Sequence, residues 1–168
     1  MGFTLIELMV VLVIIIVVIG LGTVMYFANL PHLRLTSATR GFKDDLVRAQ
    51  AIAAKGNRTV RVTQTSATSY EIVQIIGAQE PCGALVDDIN VKTVDLANQY
   101  KNVVKIGSYT AACAQSLVFG KLGAVESTAS NFATPVECGG EFGINIAKTD
   151  DSETMSVCIN NSGRIRIP

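Results

Sequence analysis

The chain opens its hydrophobic pattern with an apolar run over residues 8–28 that contains no charged side chain. At about 1.5 Å per helical residue such a run extends roughly 30 Å, the thickness of a bilayer's hydrocarbon core, so it predicts a membrane-spanning helix. It exceeds the roughly 7–15-residue apolar core of a cleaved secretory signal, and no A-x-A site follows it, so the segment is expected to persist in the mature protein. The period then becomes helical and one-sided. Over residues 33–55 the apolar positions Leu35, Ala38, Phe42, Leu46, Ala49 and Ala53 recur at spacings of three and four. Arg40, Asp44, Arg48 and Lys55 lie on the opposite face, and Gly56-Asn57 reads as the helix stop. Beyond Asn57 the pattern alternates. Residues 60–63 and 70–73 read as a strand pair around a turn at 66–69, with further strands at 91–96, 103–108, 116–119, 141–146, 155–159 and 164–167. Stretches 77–88, 109–115 and 126–140 show no clear period. The fold class is therefore α+β: a long N-terminal membrane-spanning helix continues into an amphipathic helix packed on a mostly antiparallel sheet.

Composition supports one anchored head. The 168 residues carry a formal net charge of +0, and the hydrophobic content of 49% is inflated by the apolar run. About 140 residues remain beyond that run, enough for one modest domain, and no repeat, low-complexity tract or linker separates helix from head. The basic residues of the amphipathic helix read as a solvated helix face rather than a nucleic-acid surface.

At the start of the chain, Gly2-Phe3-Thr4-Leu5-Ile6-Glu7 resembles the processing site of type IV pilins and type II secretion pseudopilins. The resemblance implies that a prepilin peptidase cuts between Gly2 and Phe3 and methylates the new amino terminus, leaving Glu7 at the fifth mature position. A carboxylate taken unpaired into hydrocarbon costs roughly 2.5–3.5 kcal/mol, so it needs a partner. In the family that partner is the terminal amine of a neighbouring subunit. The chain departs from the family twice. Only Met1-Gly2 stands before the site, where the family's leader carries several Lys or Arg residues, and Val24 stands where many members have proline. Gly20 and Gly22 lower helix propensity by about 1 kcal/mol each relative to alanine and leave the segment able to bend, with Pro31 a later kink candidate. The expected division is residues 1–2 as a leader remnant, 3–31 as the transmembrane and assembly helix, and 32–168 as a periplasmic head.

The head layout, with SLVFGKLG at residues 116–123 and MSVCINNSGRIRI at residues 155–167, resembles the H-type pseudopilins and the FimT/FimU minor pilins. This implies a structural subunit that helps to initiate or cap a filament. Its implied partners are other pilin or pseudopilin subunits, the prepilin peptidase and the inner membrane, which it crosses once with its head in the periplasm. The positive-inside rule would place the basic segment after the span in the cytoplasm, and the resemblance overrides it.

Cys82, Cys113, Cys138 and Cys158 all lie outside the apolar run, and an even count in an oxidising compartment points to two disulfides. Three connectivities are open. Cys82 with Cys113 and Cys138 with Cys158 is favoured, because each bridge then ties a long loop to a nearby strand. A four-cysteine zinc site lacks the paired C-x₂₋₄-C spacing, so neither metal nor cofactor is expected. Nor does the chain read as an enzyme: its single histidine, His32, sits beside Pro31, and no G-x-S-x-G, P-loop or H-E-x-x-H motif occurs. Gly139-Gly140 and Gly143 read as turn and packing glycines.

The final segment carries a pointed hint. Asn160-Asn161-Ser162-Gly163 reads as a turn, after which Arg164-Ile165-Arg166-Ile167 alternates, isoleucines inward and arginines outward. Two guanidinium groups then project from one face about 6–7 Å apart, near the spacing of successive phosphates along one nucleic-acid strand. The G-R-x-R ending resembles a motif of FimT-like minor pilins that bind DNA in natural transformation, which makes Arg164 and Arg166 candidate phosphate ligands and DNA a further candidate partner. A charged outer face on an edge strand also discourages pairing with other chains, and zero net charge argues against a broad DNA-binding surface.

Overall fold

The computed structural model describes residues 4–76, 89–107, 116–126, 136–139 and 141–168. The chain divides into two compact units, Met1–Leu33 and Arg34–Pro168. One helix, α1 (Leu5–Gly56), contributes to both and is assigned continuously across Gly20, Gly22 and Pro31.

In the first unit α1 is rich in valine and isoleucine, which are mediocre helix formers in water. In hydrocarbon the helix is nonetheless favoured, because it satisfies every backbone group internally. An 18-residue window reaches a mean hydropathy of 3.2 with none of it buried, which is long and apolar enough to cross a membrane. Two polar side chains close back onto the helix: Thr23 Oγ1 donates to Gly20 O at 2.9 Å, and Asn29 Nδ2 donates to Met25 O at 2.9 Å. Each bond gives a side-chain donor a partner within the helix, which lowers the cost of carrying the group into an apolar setting.

In the second unit the predicted stripe is the buried one. Leu35, Ala38, Phe42, Leu46, Ala49 and Ala53 are all within 2% of full burial. The helix stops as its sequence implies, with Asn57 taking the left-handed conformation (φ 48°) and Arg58 N donating to Ala53 O at 3.1 Å. That is the Schellman arrangement, with asparagine in the place glycine usually takes.

Among the described residues two four-stranded antiparallel sheets share the core with α1, where the sequence pattern implied one sheet. The first has the order β3-β2-β1-β5, from β1 (Thr59–Gln64), β2 (Ser69–Ile75), β3 (Ile89–Asp95) and β5 (Ser116–Phe119). The second has the order β4-β6-β7-β8, from β4 (Val104–Ile106), β6 (Phe142–Lys148), β7 (Thr154–Ile159) and β8 (Ile165–Arg166). Core side chains from both sheets, among them Val62, Ile72, Phe119, Ile146 and Val157, join the helix stripe in one cluster. The strand expected to end at Leu96 instead ends at Asp95. The Asp95 carboxylate accepts from Ala97 N at 2.9 Å and Asn98 N at 3.3 Å, and so caps a one-turn helix, α2 (Leu96–Gln99). β8 is shorter than expected because its register, Cys158 opposite Arg166, would bring Pro168 opposite Ser156, and proline has no N–H to donate.

A buried polar cluster ties helix to sheet. Asp45 of α1, 8% exposed, accepts from Tyr70 Oη at 2.7 Å and from Lys92 Nζ at 2.7 and 2.6 Å, linking α1 to β2 and β3. Burial first, and then the hydrogen bond to Asp45, push the Tyr70 phenol well above its ordinary value, so it stays a donor. The Tyr70 ring meets Phe42 edge-on, with centroids 4.8 Å apart. A disulfide joins Cys138, at the end of a 3₁₀ turn (Val136–Cys138), to Cys158 of β7, with 5.4 Å between their Cα atoms. The Cys82–Cys113 pairing lies outside the described residues.

Candidate functional site

Glu7 stands exposed in the first turn of α1, where its N–H donates to Thr4 O at 3.1 Å. A carboxylate here is favoured by the helix dipole, since the first-turn N–H groups carry partial positive charge. No cation pairs with Glu7 among the described residues, which do not include the proposed cleavage site at Gly2 and Phe3. From Leu8 to Ile19 every apolar side chain beyond it is at least 47% exposed, a continuous apolar surface on all sides of the helix.

At the other end of the chain the β7–β8 hairpin is heavily braced. Gly163 N donates to Asn160 O at 2.8 Å, and Asn160 Oδ1 accepts from both Arg164 N and Ser162 Oγ at 2.7 Å. From α1, Gln50 Nε2 donates to Gly163 O at 3.0 Å and to Gly123 O at 2.9 Å, pinning the hairpin and the turn after β5 to the helix. Glycine is required at 163. Its φ is +85°, and an added Cβ would collide with Gln50 Nε2 and stand 2.6 Å from Gly123 O. The glycine of the G-R-x-R ending therefore has a packing reason that is independent of any ligand.

The alternation predicted for 164–167 is present: Ile165 and Ile167 pack against the core while Arg164 and Arg166 are exposed. β8 is an edge strand. The two arginines differ electrostatically. Arg166 is held by Glu141, with Nε and Nη2 each 3.2 Å from Glu141 Oε2, whereas Arg164 makes no side-chain ion pair among the described residues. By register Glu141 stands in the row of Asn160 and Arg164, two residues before Gly143, whose row holds Cys158 and Arg166, so its carboxylate meets Arg166 diagonally on one face of the sheet. Its N–H donates to Cys138 O at 3.2 Å, so the disulfide-bonded turn helps to seat it.

Sequence reasoning missed Gln50, Asp45 and Glu141. Asp45 had a local signal, because it falls beside Phe42, Leu46 and Ala49 on the buried stripe and a carboxylate there must find partners.

An apolar N-terminal helix followed by a helix packed on antiparallel sheet is the pilin-like fold. The particular structures that match are minor subunits. The type IV minor pilin FimU of Pseudomonas aeruginosa superposes with a TM-score of 0.52 at 14% identity, over 80% of this chain and 87% of that one. A second crystal form of FimU gives 0.50 at 13%, over 79% and 91%. The minor pseudopilin EpsH of the Vibrio cholerae type 2 secretion system gives 0.49 at 11%, over 80% and 96%. No protein-family model and no curated protein sequence matches the chain. At these identities the likeness to FimU establishes the fold.

Proposed function

We propose that this chain is a minor pilin or pseudopilin: a non-catalytic structural subunit held in the inner membrane by residues 3–31, with residues 32–168 in the periplasm, that helps to initiate or cap a type IV pilus-like or type II secretion filament. The observation that carries the reading is the apolar helical surface that follows Glu7, on a fold shared with a minor pilin. Such a surface is stable only in lipid or against other apolar helices. A prepilin peptidase removes everything through Gly2 and methylates Phe3. Glu7 then pairs with the terminal amine of a neighbouring subunit, which offsets the cost of carrying a carboxylate into the apolar bundle. The test is co-expression with the peptidase and the other subunits of a filament system. Intact mass should show a methylated Phe3 terminus, and Glu7→Ala should reduce recovery in sheared filaments at least tenfold while the head keeps its unfolding temperature. A retained Met1 refutes the reading, and equal incorporation of the variant refutes the pairing of Glu7 with a neighbour's amine.

A second reading is favoured by the exposed, braced Arg164: the C-terminal hairpin binds DNA, with Arg164 and Arg166 as phosphate ligands. Phosphate contacts of this kind position a duplex without reading its bases, so binding should be indifferent to sequence.

A further inference from the structure

We propose that Glu141 sets the affinity of the C-terminal anion site by holding Arg166, so that Arg164 takes the first phosphate and Arg166 joins only when a second phosphate displaces the carboxylate. This rests on the reading of the hairpin as DNA-binding. Both nitrogens of Arg166 approach the same oxygen, Glu141 Oε2, at 3.2 Å, so the contact uses one carboxylate oxygen and lacks the two-oxygen fork of the strongest arginine pairs. The two side chains are 48% and 31% exposed, a setting in which ion pairs are weak and readily exchanged. A phosphate diester carries the same single charge as the carboxylate and so can replace it on the guanidinium.

The exchange is not free. A phosphate that captures Arg166 leaves Glu141 unpaired and close to the polyanion, where its charge repels. Arg164 carries no such competitor among the described residues. The Glu141 N–H bond to Cys138 O ties its backbone to the disulfide-bonded turn, so the carboxylate reaches Arg166 from a fixed point on the face. A site that looks in sequence like two equivalent arginines therefore works as one free cation and one that is occupied in advance.

The test uses the full chain in a neutral detergent and a fluorescein-labelled duplex, with anisotropy titrations at several salt concentrations. Glu141→Gln should tighten binding about two- to fivefold, the range set by exposed ion pairs, and steepen the logarithmic salt slope by about 0.9 as one more phosphate is neutralised. Arg166→Gln alone should weaken binding less than Arg164→Gln, because it removes an occupied cation and leaves Glu141 unpaired, and the double variant should lose the gain of Glu141→Gln. Arg164→Gln should weaken binding most. Asp44→Asn, which removes an exposed charge from α1, controls for net charge. A gain no larger than that of Asp44→Asn, or one that survives in the double variant, overturns the proposal. If no variant binds duplex, the DNA reading itself fails, and elution from phosphocellulose decides the rest. Later elution of Glu141→Gln, cancelled by Arg166→Gln, then supports the pairing, and coincident elution overturns it.

Discussion

Gly163→Ala is the substitution that most directly probes how the C-terminal hairpin is held. Alanine at φ +85° is in the left-handed region, which costs a residue with a Cβ about 1–2 kcal/mol. The new methyl would also meet Gln50 Nε2 and Gly123 O. To admit it, Gln50 must swing away from the two carbonyls it serves, and each part-buried hydrogen bond lost costs about 0.5–1.5 kcal/mol. Together the loss is roughly 2–5 kcal/mol, a large share of the stability of a domain this size. At about 4 °C per kcal/mol the unfolding midpoint should fall by roughly 8–20 °C. Near-ultraviolet circular dichroism on heating measures it, since Tyr70 lies in the core and Tyr100 packs against it. Gln50→Ala should cost about 1–3 kcal/mol by itself. In that background Gly163→Ala should cost only its backbone and Gly123 components, so the two changes must combine to less than their sum. A strictly additive pair, or an alanine variant as stable as the parent, would show that the hairpin is not held through Gln50.

Two further outcomes follow from the head. Replacing Cys138 and Cys158 together by serine should destabilise the head by about 2–4 kcal/mol and loosen the turn that seats Glu141, read as a lower denaturation midpoint and earlier cleavage near residue 138 in limited proteolysis. Tyr70 ionises at about 10 in the unfolded chain but at higher pH in the folded one, so the folded state binds the extra proton and stability must fall as pH rises above about 10. Tyr70→Phe should flatten that alkaline slope by up to one proton, and urea titrations at pH 9 and pH 11 measure the difference.

What could be read in the sequence was local and periodic. The stripe from Leu35 to Ala53 and the alternation of Val60 and Val62 with polar neighbours needed only the helix and strand repeats, because each apolar side chain had one core to face. The inward isoleucines and outward arginines of the last strand were legible for the same reason. The division into two sheets was not, since nothing local in residues 60–63 or 141–146 says which strands pair, and pairing is set by contacts distant in sequence. The Asp95 cap lay hidden in an apparently continuous strand pattern, as side-chain capping competes with the ladder only when the following residues turn. The inequality of Arg164 and Arg166 was likewise invisible, because it depends on a carboxylate 25 positions before Arg166 that reaches it only in the folded sheet.

The ties between α1 and the sheets also have a mechanical meaning. Within the head, the buried stripe, the Asp45 cluster and the Gln50 pin are attached to one rigid rod and lie one after another along it. A pull applied at Arg34 along the axis of the rod loads these attachments in shear and shares the force among them. Peeling would break them one at a time, whereas sliding must break them together, and the resistance to pulling should exceed what the strength of any single tie suggests.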